Sequence, residues 1–463
     1  MNDLPVFPAS ANVFGRIAVL VPVVILLSLS GCGGVPNPVG WLGGDKDDDP
    51  KVTGKREAVM ILEDKLEVDP EMAEQTIALP PPYENPDWPQ PGGYASNAMH
   101  HLALPQNLSR AWSASAGEGS DHRSRLIATP VVGDGKVFVR DAHAGVSAFD
   151  LESGRRLWEI DMTPDEKKVK SYHGTGGGVA YMPGKVVASN GFGFLVALDA
   201  GSGAEIWRQD LGSDIRTAPT ISSGRIFVST FDNQLFCLDA SNGEILWNHR
   251  SFEEIARIMV STSPAVDGDI VIAPYSSGEI YAIDADTGRE AWSDSLSRTG
   301  RLTPLSAIND IAGRPVLDRG IVFAISHAGR LAAIDARLGQ RLWTHNIGGT
   351  QTPWVAGDYV YVMTDNAEMV CFHRQTGKIV WITRLQPFKD IEKRKKPVTW
   401  SGPVLGGDRL IILSSEGDAI SISPYTGEKL GKIEMPDGTL IAPIIADQTV
   451  LVLTDEAELI AYR

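Results

Sequence analysis

The stretch VSAFDLESGRRLW, residues 146–158, decides the fold. It opens with an alternating run from Val146 to Asp150, bends at Asp150-x-x-x-Gly154, and returns through a segment carrying Trp158. Alternation with period two marks a half-buried strand. At the bend an aspartate accepts backbone hydrogen bonds and a glycine supplies positive φ, the two needs of a tight turn. The same Gly-x-x-x-Trp ending returns at Gly203/Trp207, Gly243/Trp247, Gly288/Trp292, Gly339/Trp343 and Gly377/Trp381. Asp199, Asp239, Asp284 and Asp335 repeat the turn aspartate, and His373 replaces it in the sixth unit. Successive tryptophans are spaced from 38 residues (Trp343 to Trp381) to 51 (Trp292 to Trp343). That period fits one four-stranded propeller blade per unit.

Working outward, each unit holds three further strand signals: an x-Pro-x-x start such as residues 129–132, a β-branched run such as 136–140, and the alternating run before the turn. The 3.6-residue apolar stripes of a helical solenoid are missing. Residues 402–435 form a seventh, degenerate unit, with Gly427 in place and Gly431 where the tryptophan belongs. Residues 442–463 supply only three strands, which leaves an edge. LSRAWSAS, residues 108–115, carries Trp112 ahead of the first unit and is the missing fourth strand. The expected fold is therefore all-β: an eight-bladed β-propeller of four-stranded antiparallel blades over residues 108–463, its last blade closed by an N-terminal strand. Trp112, Trp158, Trp207, Trp247, Trp292, Trp343 and Trp381 are the expected blade-docking residues. An indole burying some 150–250 Å² contributes up to roughly 4–6 kcal/mol at 25 cal/mol per Å².

Ahead of the repeats, IAVLVPVVILLSLS at residues 17–30 is an apolar run too short for a spanning helix of about 20 residues. It reads as a signal peptide, residues 1–31. The end Leu29-Ser30-Gly31-Cys32 resembles the bacterial lipobox, which implies lipidation, palmitate included, at Cys32. Gly33 follows, not the aspartate associated with inner-membrane retention, so outer-membrane sorting is favoured. Several acyl chains, at about 0.8 kcal/mol per buried methylene, make a durable anchor. Residues 32–107 read as a lipidated tether: Gly, Pro and Asp to about residue 53, a short helix over 55–68 stopped by Asp69-Pro70, then six prolines within residues 79–93.

A formal charge of −16 opposes a basic, phosphate-neutralising surface, so nucleic acid is not expected as a partner. Cys237 and Cys371 stand in equivalent positions three blades apart, too far for a bridge, and read as buried thiols. His100-His101, His122 and His143 lack the spacing of strong metal sites, so no metal is assigned. GTGGG at residues 174–178 has no P-loop Lys-Ser/Thr pair after it, and close backbone approach near the axis accounts for it. The basic run at residues 389–396 reads as a solvated inter-blade loop facing water, acidic headgroups or an acidic partner.

With the repeats in place, residues 88–463 resemble the quinoprotein-type β-propeller superfamily, whose repeat is named for pyrroloquinoline quinone (PQQ). Lipobox, modest length and eight compact blades resemble, within it, the BamB family of lipoproteins of the outer-membrane β-barrel assembly (BAM) complex. The resemblance implies a non-catalytic scaffold on the periplasmic side of the outer membrane. It binds the periplasmic domains of BamA, meets other BAM subunits and helps receive unfolded outer-membrane proteins. No cofactor is expected. The rival readings are a periplasmic PQQ-dependent oxidoreductase and a ligand-sensing envelope propeller; against the former, the chain has no adjacent cysteines. Two connections exceed what a blade needs, residues 251–263 and 297–314. Arg257, Ile258 and Met259 on the first, with Ile308, Asp310 and Ile311 on the second, combine apolar anchors with charge and are the expected partner-binding residues. The alternative is that both loops fold back over their own blade.

Overall fold

Short alternating runs separated by turn residues can bury one face only by packing sheet on sheet. The computed structural model, which describes residues 66–73, 75–165, 169–215, 217–252, 262–297 and 309–463, shows how they do it. Eight four-stranded antiparallel sheets follow one another. Blade 1 spans residues 131–161, blade 2 179–210, blade 3 220–250, blade 4 265–295, blade 5 316–345, blade 6 354–384 and blade 7 400–434. Blade 8 joins residues 444–462 to the strand Arg110–Ser115, which pairs with Glu458–Tyr462. The two ends of the propeller thus close one sheet, as the sequence requires, and neither is left as an edge facing a gap.

The turn aspartates do what their chemistry allows. Asp150 Oδ1 accepts from the amide and the hydroxyl of Ser153, and Asp199 Oδ1 accepts from those of Ser202. These bonds, the side-chain hydroxyl first, hold both carboxyls below the ordinary carboxylate range. Each hairpin glycine then lies under the indole of the preceding blade. A β-carbon at Gly339 would stand 2.7 Å from Trp292, and one at Gly154 2.5 Å from Trp112. With φ of +68° and +71°, these positions also need a residue free of left-handed strain.

Residues 75–107 correct the reading of that stretch as part of a tether. Asn85 to Leu102 run around the inner strands and bond to every blade in turn. Asn85 Nδ2 donates to Ile445 O of blade 8 (2.6 Å), and Trp88 exchanges two backbone bonds with Val132 of blade 1. Pro89 O accepts from Tyr181 N of blade 2, Gln90 exchanges two bonds with Ile221 of blade 3, and Ala95 O accepts from Val266 N of blade 4. Ser96 O accepts from Leu317 N of blade 5, His100 O from Trp354 Nε1 of blade 6, and Leu102 pairs with Leu405 and Gly407 of blade 7. The physical reason is backbone accounting: innermost strands present N–H and C=O groups toward the axis that need partners. A proline-rich chain still brings carbonyls to them.

The helix expected over 55–68 lies outside the described residues up to 65, and Leu66 to Val68 are not helical. A single turn, Pro70–Ala73, follows instead. Asp69-Pro70 is a start and not a stop: Asp69 Oδ1 accepts from Glu71 N at 2.9 Å, and proline suits the first helical position. Met72 is buried on the core, and Asp69 N donates to Ile379 O of blade 6. Residues 1–65, Cys32 and the signal peptide included, lie outside the described residues.

Candidate functional site

In blades 1–7 the turn between the first and second strands and the hairpin between the third and fourth share one end of the sheet. The connections between blades share the other end with the turns between second and third strands. The circling segment bonds at the first-to-second turns, so it closes that face. The described ends of the two long connections singled out in the sequence, residues 251–252, 262–263, 297 and 309–314, therefore lie toward the opposite face.

Of the expected partner-binding residues, Arg257, Ile258, Met259 and Ile308 lie outside the described residues. Ile311 and Asp310 are corrected: Ile311 is fully buried in the blade 4–5 core and Asp310 is 6% exposed. The cause is local, because Asp310 O accepts from His327 N and draws residues 309–314 back toward the axis. Neither side chain is offered to a partner. Residues 309–314 thus pack against their own ring.

Beside the other connection stands a residue that sequence reasoning missed. Phe252 is 74% exposed, while Asn233 Nδ2 donates to its backbone carbonyl and fixes its base. Behind it His249, Tyr275 and Tyr281 pack together, with His249 Nδ1 2.8 Å from Tyr275 Oη and the tyrosine rings edge to face at 5.4 Å. Glu279 Oε2 accepts from Ser251 Oγ at 2.5 Å and Ser277 Oγ at 3.1 Å. Burial lowers the His249 pKa and raises those of Tyr275 and Tyr281, so the imidazole and both phenols favour their neutral forms. The arrangement holds an aromatic knob on a rigid polar footing, a form suited to docking and not to proton transfer. A phenylalanine next to a long loop was the available signal.

On the axis lies a cavity of about 400 Å³, floored by Trp88, Pro91, Gly92 and Asn97 of the circling segment. Thr129, Arg314, Gln351, Asp365 and Trp400 are among its walls. Burial lowers the Arg314 pKa to about 10, and its Nη2 donates to Thr129 Oγ1 at 3.0 Å. Asp365 is the single carboxylate among the described lining residues, and no described cluster of three or more His, Cys, Asp or Glu could hold a metal ion. The donor set for a calcium-assisted quinone is therefore not assembled by these residues.

The remaining candidates resolve into structure. Cys237 and Cys371 are buried, burial pushing the Cys237 thiol up to about 12 and that of Cys371 upward. His101 is buried between Pro80 O and Asp408 N, and His143 Nε2 meets Ser124 Oγ. The basic run forms an extra hairpin, Phe388–Asp390 with Lys395–Pro397, where Lys389 pairs with Glu416.

Comparison with known proteins agrees with this geometry. The profile of the family described as "Outer membrane protein assembly factor BamB" matches residues 109–172 and 142–383. The protein of that name from Yersinia pestis is 25% identical over 357 residues, covering 76% of this chain and 88% of the relative. Its namesake from Xanthomonas campestris is 28% identical over 371 residues, 77% of this chain and 86% of the relative. An uncharacterized protein of Rickettsia prowazekii is 29% identical over 292 residues, covering 62% of this chain and 69% of its own. Among solved structures, BamB from Moraxella catarrhalis superposes with a TM-score of 0.63 at 18% identity, over 77% of this chain and all of that one. A europium-containing methanol dehydrogenase superposes with 0.64 at 16%, over 80% and 89%. The fold is common to both.

Proposed function

Because this chain belongs to the BamB family of outer-membrane protein assembly factors, we propose that it is a non-catalytic scaffold of β-barrel assembly, lipid-anchored through Cys32 on the periplasmic side of the outer membrane. It docks the periplasmic domains of BamA and assists the insertion of outer-membrane β-barrel proteins. The family match across the repeats carries this reading. The face opposite the circling segment supports it, with Phe252 raised beside the long connection that bears Arg257, Ile258 and Met259. An exposed aromatic beside charge is the composition of a binding hot spot. Lipidated protein captured from membranes co-purifies BamA, and a double variant Phe252→Asp, Arg257→Glu loses it while keeping its thermal transition. Unchanged co-purification rejects this surface.

The axial cavity and the likeness to a methanol dehydrogenase favour one second reading, a quinoprotein oxidoreductase. Titration with PQQ and calcium, followed by quenching of the cavity tryptophans, separates the two. Saturable quenching that Trp400→Phe weakens would displace the scaffold reading.

A further inference from the structure

Seven of the eight joints between blades are made the same way: an indole from one blade covers the hairpin glycine of the next, from Trp112 over Gly154 to Trp381 over Gly427. Six of these indoles also donate Nε1–H to a backbone carbonyl of the receiving blade, as Trp292 does to Ala336 O at 2.7 Å. The joint from blade 7 to blade 8 has neither partner. Gly431 stands in the tryptophan position, and a β-carbon built on it meets nothing within 4 Å. On the receiving side the fourth strand of blade 8 is Arg110–Ser115, from the other end of the propeller, so no hairpin joins it to Glu458–Tyr462 and no hairpin glycine lies there to be covered. The tryptophan and its seat are lost together, and a space is left.

That space is a cavity of about 370 Å³, inside the range of about 300–1,000 Å³ typical of ligand sites. Ile411, Leu413 and Ala419 of blade 7 form one wall and Val450 and Val452 of blade 8 the other, with Ile433 and Leu430 at the mouth. Both mouth residues are exposed, at 51% and 55%, on the strand Lys429–Glu434. This strand is the last of its sheet, and every one of its residues faces solvent. Gln106 and Tyr462 place polar groups at the rim.

We propose that the blade 7–8 slot is a binding site for one aromatic side chain carried by an extended polypeptide running along Lys429–Glu434. The slot continues the blade 7–8 interface, and the seven filled joints state what shape and chemistry such a space accepts. An apolar space lined on two sides gains dispersion contacts and loses exposed surface when a flat ring enters. The outer strand offers backbone groups for pairing, which supplies affinity without reading sequence. This site stands on different residues from the Phe252 face and does not depend on the identity of the partner there.

The test uses the full chain in detergent with methyl-labelled Ile and Met. A short blocked peptide of strand-forming residues with one central tryptophan is titrated in, beside the same peptide with alanine in its place. The tryptophan peptide shifts the methyls of Ile433 and Met435 saturably, and the alanine peptide leaves them in place. In Gly431→Trp the protein's own indole fills the slot and the peptide binds at least about tenfold more weakly. Should that variant not fold, Ile433→Glu at the mouth gives the same loss. Methyls that ignore the tryptophan peptide, or equal binding to the folded slot variant, overturn the proposal.

Discussion

The joint between blades 4 and 5 and the joint between blades 7 and 8 face the same geometric task with different materials. At the first, Trp292 is 8% exposed, seated over Gly339 and hydrogen-bonded to Ala336 O. At the second, Gly431 leaves a cavity, and the outer strand shows solvent on every residue. The ring holds at both, so the tryptophan is one way of joining blades and not a condition of the fold. At the second joint the two ends of the circling segment meet, Asn85 bonding to Ile445 O of blade 8 and Leu102 to Leu405 and Gly407 of blade 7.

The largest effect should follow removal of the filled joint. Trp292→Ala is expected to cost about 3–5 kcal/mol, since a large buried ring is deleted and the rigid sheets beside it collapse only partly. Urea unfolding with an unchanged slope checks it. A loss below about 1 kcal/mol would break the contrast between the two joints.

Next in size is the seat. Gly339→Ala places a β-carbon 2.7 Å from the indole at φ +68°, a left-handed strain of roughly 1–2 kcal/mol before the clash is counted. In the double variant with Trp292→Ala the clash disappears, so the double-mutant cycle should show coupling of about 0.5–3 kcal/mol. Strict additivity would mean that glycine serves the turn alone.

At the vacated joint, Ile433→Ala should change stability by about 0.5 kcal/mol or less, because the side chain is half exposed and caps no filled core. Thermal melts of this variant and of Trp292→Ala side by side give the sharpest form of the comparison.

The smallest effect is in pH. Asp199 and Asp284 have carboxyls held below the ordinary range by the hydroxyls of Ser202 and Thr287. Their folded pKa lies below the unfolded value near 3.9. The stabilisation is therefore complete above that value and drains away as pH falls through the folded pKa. Blade 7 carries Ser423 at the corresponding position, where its Oγ accepts from Tyr425 N and Thr426 N and does not titrate. Amide exchange at Ser202 and Thr287 should accelerate below about pH 4 beyond the intrinsic rate, while Thr426 keeps its protection factor. Parallel behaviour would show that the carboxylates do not hold these hairpins.

Legibility in the sequence followed the range of the interaction. The Gly-x-x-x-Trp register placed the hairpins and their indoles, and the incomplete last unit placed the orphan strand with Trp112, since each is fixed by contacts within a blade or between neighbours. Asp69-Pro70 misled because the same dipeptide ends one helix and starts another; which it does is set by Met72 burying itself on the core. Asp310 and Ile311 misled because a long polar connection and a loop drawn inward have the same composition. Phe252 was passed over because one exposed aromatic has no pattern.

What the sequence by itself determined is the repeat: strand length, turn chemistry, blade number and closure by the two ends of the propeller are local or periodic quantities, written once per unit and read by counting. Only the tertiary structure decided that residues 85–102 circle the axis, that the funnel has a floor, and that the missing indole and the missing hairpin meet at one joint. Those facts arise when eight separate sheets converge, bringing edge groups hundreds of residues apart into hydrogen-bond reach. No period along the chain records such a meeting.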